Sequence, residues 1–229
     1  KKKKIEDFYL NSIWTNEKIN EKDYKKLHSF FWLFSLDLKS SNKITQSIIL
    51  NWIENNQNYN PKNWEIDTLS KRIISWLSNS KLSYENSDQI YKEQFNKNIK
   101  KQINHLINEI SRSSLVDDKM IGCSAIILTG LSFKDEKNLN YGLNLLKKII
   151  NSSFDSEGFP KSRNIRQLIF YLKYFILIRE WLKESQTEIP EYLNEIIFYL
   201  GQAYNFTWQN TNQSLLFNGN HINNNSDFD

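Results

Sequence analysis

Apolar positions along this chain recur at three- and four-residue intervals, the period of a helix with one buried face. The stretch 22–38 places Leu27, Phe30, Phe31, Phe34 and Leu38 on one face and predicts one continuous helix. Ser41 and Asn42 offer an N-cap for a second helix, about 43–55, carrying Ile44, Ile48, Trp52 and Ile53. A polar loop with Pro61 follows. The pattern resumes over 65–77 with Ile66, Leu69, Ile73, Trp76 and Leu77. Ile90, Phe95, Ile99, Ile103, Leu106 and Ile110 predict a long helix from Ser87 to about 111.

The stretch 116–133 is apolar almost throughout, and its inner turn is made of Gly122, Cys123, Ser124 and Ala125. Small residues allow close approach of neighbouring helices, so this helix is expected deep in the fold. Its head carries Asp117, Asp118 and Lys119, which suits either a helix cap or the floor of a site. An amphipathic helix over 138–151, a loop over 155–163 with Gly158 and Pro160, an apolar helix over 164–183 and a last helix from Pro190 to about 206 complete the pattern.

No segment reads as a strand. Six Gly and three Pro are too few for the turns of an all-β fold, while 39% hydrophobic and 14% aromatic residues support a packed core. The expected fold class is all-α, with antiparallel helical hairpins joined by short loops. No repeat of about 34 to 47 residues is present, which leaves a closed α/α toroid or an irregular bundle rather than a linear solenoid. Residues 1–207 read as one domain. Residues 208–229, rich in Asn, read as a lead-out to a further domain.

Charge adds little. Lys and Arg number 30 against 26 acids, for a net charge of +4. That suits an acidic partner such as a uronate polymer, and with no recognised motif it argues against nucleic acid. No apolar run reaches the roughly 18 residues of a membrane span. The chain begins without Met and is expected to be a piece of a longer protein, so any targeting segment lies elsewhere. The abundance of Lys, Asn and Ile has the look of AT-rich coding, which weakens any argument from Asn frequency. The single Cys123 excludes an intrachain disulfide and reads as a packed thiol. His28, His105 and His221 lie in separate segments without metal-ligand spacing, so no metal or other cofactor is expected.

Three segments in order carry a resemblance. The first, 51–77, has Trp52, an Asn-rich loop, Trp64, and a helix ending in Arg72 and Trp76. The second is the 116–133 helix. The third is 156–168, SEGFPKSRNIRQL. Their order and spacing resemble the heparinase II/III-like polysaccharide lyases and the related alginate lyases, and the LHSFFWL and LLFNG runs resemble a bacterial branch of that family.

The resemblance implies an incomplete (α/α) toroid followed by a β-sandwich beyond this chain, a periplasmic or cell-envelope location, and β-elimination on an acidic polysaccharide. It implies catalytic positions at Asp118 and Lys119, which stand where the family has Asn and His, and Cys123 stands at a family Glu. Ser162, Asn164 and Gln167 stand at a family Glu, Ser and Tyr. Gln167 cannot transfer a proton, and Tyr171 one turn on is the candidate replacement phenol, with a core role as its alternative. Trp52, Trp64, Arg72, Trp76, Arg163, Asn164, Arg166 and Gln167 are the expected substrate-binding residues, the Trp side chains either stacking on sugar rings or packing the fold. The alternative function is a carbohydrate-binding or envelope-assembly protein that keeps the toroid without elimination chemistry.

Overall fold

The structure is a computed structural model that describes Trp14, residues 19–37 and residues 41–207. Leu38 and the 208–229 lead-out lie outside the described residues. The chain divides into two compact units, Lys1–Asn138 and Leu139–Asp229. Their junction falls in the first turn of a helix, where no linker composition marks it.

The first unit contains α1 (Glu21–Ser29), α2 (Asn42–Asn55), the single turn α3 (Pro61–Trp64), α4 (Ile66–Ser78), the single turn α5 (Ser80–Ser83), α6 (Gln89–Glu109) and α7 (Val116–Phe133). Helix α8 (Glu136–Ser153) begins at its end and continues into the second unit, with α9 (Ile165–Glu184) and α10 (Glu191–Thr207). The described residues form an all-α fold, and their one β-type contact is an isolated bridge between Phe154 and Pro160.

The expected helix 22–38 is broken. Helix α1 stops at Ser29, Phe30 turns left-handed at φ 56°, and a 3-10 turn runs over Phe31–Ser35. Local periodicity cannot reveal this break, because its cause is tertiary. The left-handed residue directs the Phe30 ring inward, fully buried, between Trp14 at 5.6 Å, Trp52 at 6.1 Å and Trp76 at 5.2 Å. Burying a Phe, worth about 1.5–3 kcal/mol, offsets the roughly 1–3 kcal/mol of strain that a non-Gly residue carries in that region.

Three helices of the first unit after α1 start on side-chain caps: Ser41 for α2, Asn60 for α3 and Asp88 for α6. Asp88, one residue beyond the expected helix start at Ser87, accepts from the Tyr91 N–H at 2.7 Å. Phe34, Ile44 and Ile90, expected on buried faces, are exposed, while Thr45 and Tyr91, adjacent to the two Ile, are buried, so the inward face of those two helix starts is offset from the expected one.

Helix α7 has no polar face along its middle. Every residue from Met120 to Gly130 is buried. It packs most extensively on α4, and the short turn over Ile110–Arg112 folds it back along α6. Gly122 explains the closeness on that side: a Cβ there would stand 2.6 Å from Ile110 Cδ1 and 3.3 Å from Leu106 Cδ1. The small-residue turn is therefore a packing surface, as its composition predicts. Cys123 is buried within it, and burial pushes its thiol well above the usual range.

In the second unit α9 packs on α10, and Tyr171 and Phe175 meet Phe154 at 4.9 and 5.8 Å. The 155–163 loop crosses close to α10. Gly158 there has φ 78°, and a Cβ on it would meet Tyr199 Cβ at 2.4 Å.

Candidate functional site

A cleft of about 820 Å³ opens in the first unit between the start of α1 and the segment joining α2 to α4. Its buried floor holds Trp14, Asn56 and Asn63, with the half-buried Tyr24 beside them. Asn55, Asn60, Lys62 and Glu21 stand exposed at its rim.

The floor is a chain of amides and one phenol. The Tyr24 hydroxyl donates to Asn63 Oδ1. Asn63 Nδ2 donates to Asn56 Oδ1 at 2.5 Å, and Asn56 Nδ2 donates to the Trp52 carbonyl at 2.9 Å. Burial raises the Tyr24 phenol above its ordinary value, against the opposing effects of Asn63 and of the Arg72 charge. Tyr24 is therefore a protonated phenol at neutral pH, with oxygen lone pairs free to accept.

Arg72 lies behind this floor, fully buried. Its Nε donates to Gln102 Oε1 at 2.9 Å, and its terminal nitrogens donate to the carbonyls of His28 (2.9 Å) and Asn63 (3.1 Å). Among the described residues no acid forms an ion pair with it. Burial lowers its guanidinium to about 9, still charged at neutral pH. His28, also fully buried, accepts from Trp52 Nε1 at 3.0 Å through Nδ1 and stacks on Tyr24 at 4.1 Å. Burial and then the Arg72 charge lower His28 to about 4, so it is neutral, with its proton on Nε2. Arg72 thus fixes the carbonyls of both Asn63 and His28, and those residues carry the groups that hold Tyr24.

At the rim, Lys25 bridges Glu21 at 2.9 Å and Glu65 at 3.2 Å, an exposed arrangement worth little in stability.

The residues expected to bind sugar are differently placed. Trp52 and Trp76 are fully buried and Trp64 nearly so, leaving none of the three indoles a free face for stacking. Trp52 and Trp76 close the core around Phe30 instead, and Trp64 packs against Tyr59 and His105. Arg72 is buried as well, and it can act on a ligand only through Asn63. Tyr171 is buried against Phe154 and Phe175, in the core role that was its alternative.

Asp118 and Lys119 are half-buried at the head of α7. The N-cap is Leu115, which supplies no side-chain acceptor, so the acids act on the first turn through the helix dipole. Burial raises the Asp118 carboxyl, and Asp67, Glu65 and Asp117 raise it further. Glu65 lines the cleft, so the head of α7 adjoins the cleft electrostatically without lining it.

Arg163, Asn164, Arg166 and Gln167 belong to the second unit. Arg163 is exposed and pairs with Asp155 at 2.7 Å. Burial opposes ionisation of Asp155, but the Phe159 and Glu157 N–H groups and Arg163 outweigh it and hold the carboxyl low. Asn164 caps α9 by accepting from the Arg166 N–H at 2.9 Å, and Gln167 accepts from Ser162 Oγ at 2.5 Å. These contacts organise the loop and the start of α9.

None of the residues lining the cleft was expected from sequence, the floor residues Tyr24, Asn56 and Asn63 included. Tyr24 shows only as one polar position in a helix. The asparagines sit in a run whose composition invites discounting. The available signal was Pro61 between them, since Asn60 and Pro61 cap and start the turn that directs Asn63 inward.

Against this geometry, no protein-family model, no curated protein and no solved structure matches the chain.

Proposed function

We propose that this chain is a carbohydrate-handling domain and that the cleft of its first unit binds an acidic glycan. The observation that carries the reading is the lining: four Asn side chains, Tyr24 and Trp14, with Lys25 and Lys62 at the edge. An amide donates through nitrogen and accepts through oxygen, which matches the two-way hydrogen bonding of sugar hydroxyls. A cleft of this size with a few fixed polar groups suits a small ligand or one segment of a polymer. Lys25 and Lys62 supply cations for a uronate carboxylate. The exposed ion pair with Glu21 costs little to exchange for a ligand carboxylate.

The ordered resemblance of three segments to heparinase II/III-like lyases supports the same substrate class, and with it a toroidal closure of the hairpins and a β-sandwich partner domain. Elimination is the second reading, favoured by Tyr24. A protonated phenol in a glycan cleft can act as a general acid if its proton turns from Asn63 Oδ1 to the departing sugar oxygen. Binding is the better supported of the two, because Tyr24 and Lys25 both hold their protons more firmly than usual and so make poor bases.

The test is calorimetric titration of the full chain with uronate oligosaccharides and with neutral oligosaccharides of equal length. Ultraviolet absorbance would be followed in parallel for the unsaturated uronate that elimination creates. Binding that weakens in Lys62→Gln and Asn60→Ala, without new absorbance, establishes a binding domain. New absorbance that is lost in Tyr24→Phe establishes the lyase. An absence of binding to every glycan removes the proposal.

A further inference from the structure

We infer that Tyr59, with Lys101, forms a second sugar subsite beside the cleft, an inference that rests on the glycan reading above. Tyr59 is 60% exposed, yet its ring is backed by others. It lies 6.2 Å from the Trp64 ring and 5.3 Å from the His105 ring, and these two meet edge to face at 5.2 Å. Trp64 is buried and anchored by α3, so the exposed phenol rests on a fixed platform. Lys101 closes the arrangement: its ammonium lies 5.4 Å over the Trp64 ring and donates to the Gln57 carbonyl, holding the 57–60 loop to α6.

Three features make this a subsite rather than a stray exposed ring. The chain passes directly from Tyr59 to Asn60, which lines the cleft. Aromatic rings recognise the apolar C–H face of a pyranose and leave its hydroxyls to neighbouring polar groups. The adjoining cation supplies the charge that an acidic sugar requires and that a neutral one does not. Tyr59 thus fills the stacking role that the buried Trp52, Trp64 and Trp76 cannot. The occupant is the next sugar unit of the glycan held in the cleft, stacked on Tyr59 with its carboxylate towards Lys101.

The experiment titrates the full chain and its Tyr59→Ala, Tyr59→Phe and Lys101→Gln variants with uronate disaccharides and longer uronate oligomers, and with neutral oligomers. Circular dichroism checks that each variant keeps its helices. Tyr59→Ala is expected to weaken the longer oligomers about 3- to 10-fold and to leave the disaccharide unchanged, while Tyr59→Phe retains wild-type affinity. Lys101→Gln is expected to weaken long uronates more than neutral oligomers of equal length, the smaller shared loss reflecting release of the 57–60 loop. Wild-type affinity of Tyr59→Ala for long oligomers overturns the subsite while the cleft reading stands, and so does an equal loss for short and long. If the wild-type chain binds no glycan, the cleft reading and the subsite fall together.

Discussion

Arg72 lies over the indole of Trp52, its guanidinium carbon 4.1 Å from the ring centroid, and it keeps its charge in the core on neutral acceptors alone. A buried cation of this kind is tolerable only when its donors are satisfied, since desolvating an unpaired charge costs several kcal/mol. Here Gln102, the His28 carbonyl and the Asn63 carbonyl satisfy them, and Asn98 fixes the acceptor because Gln102 Nε2 donates to Asn98 Oδ1 at 2.5 Å. Arg72→Ala strands these acceptors and opens a cavity, so it is expected to destabilise the protein by about 3–5 kcal/mol. Arg72→Lys keeps the charge but not the fork, and it too should lose stability. Urea denaturation checks both, and a wild-type midpoint for Arg72→Ala would refute the network's role.

His28 gives the protein a specific acid sensitivity. Its folded value, about 4, lies below its ordinary 6.5. Above pH 6.5 both the folded and unfolded states hold it neutral, and it makes no pH-dependent contribution. As pH falls from 6.5 to 4 the unfolded state gains the proton first, and stability drops by about 3 kcal/mol. Below 4 the loss levels off. Carboxylates titrate in the same range, so the readout is the difference between wild type and His28→Gln. Parallel stability curves between pH 6.5 and 4 would show that the imidazole is not held neutral.

Tyr24 and Asn63 are expected to be energetically coupled, because each satisfies the other and Asn63 also serves Asn56. Tyr24→Phe should cost about 1 kcal/mol of stability, and Asn63→Ala more. The double variant should cost less than the sum by roughly 0.5–1.5 kcal/mol. Strict additivity in the denaturation energies would mean that the hydrogen bond contributes nothing.

The two constrained glycines should respond unequally to the same change. At Gly122 the obstructing atom is the mobile tip of Ile110, and alanine gains about 1 kcal/mol of helix propensity, so Gly122→Ala should be nearly neutral. At Gly158 the obstruction is Tyr199 Cβ, which cannot swing aside, and φ is left-handed. Gly158→Ala should cost about 1–3 kcal/mol. Thermal midpoints of the two variants check the order, and a Gly122→Ala variant less stable than Gly158→Ala would reverse it.

The sequence revealed what depends on neighbours along the chain and missed what depends on neighbours in space. Periodicity located α2, α4, α6, α7, α8, α9 and α10 because each buries one stripe or, for α7, its whole circumference. It carried a helix through Phe30 because nothing local distinguishes an inward Phe from a helical one. The indoles at 52, 64 and 76 were visible as aromatic, but whether an aromatic ring packs or stands open is decided by what surrounds it. The site was harder still. Tyr24 reaches Asn63 across 39 residues and Arg72 reaches His28 across 44, and single-residue patterns carry no trace of such pairings.

Helix α7 has a kinetic consequence. From Met120 to Gly130 it offers solvent no side, and its closest neighbours would have to part before water reached its amides. In a hydrogen–deuterium exchange experiment its backbone amides are expected to exchange more slowly than those of the exposed rim segment around Tyr59. The cleft is thus tied through Glu65, the N-cap of α4, to the helix that packs on the most deeply buried element of the unit.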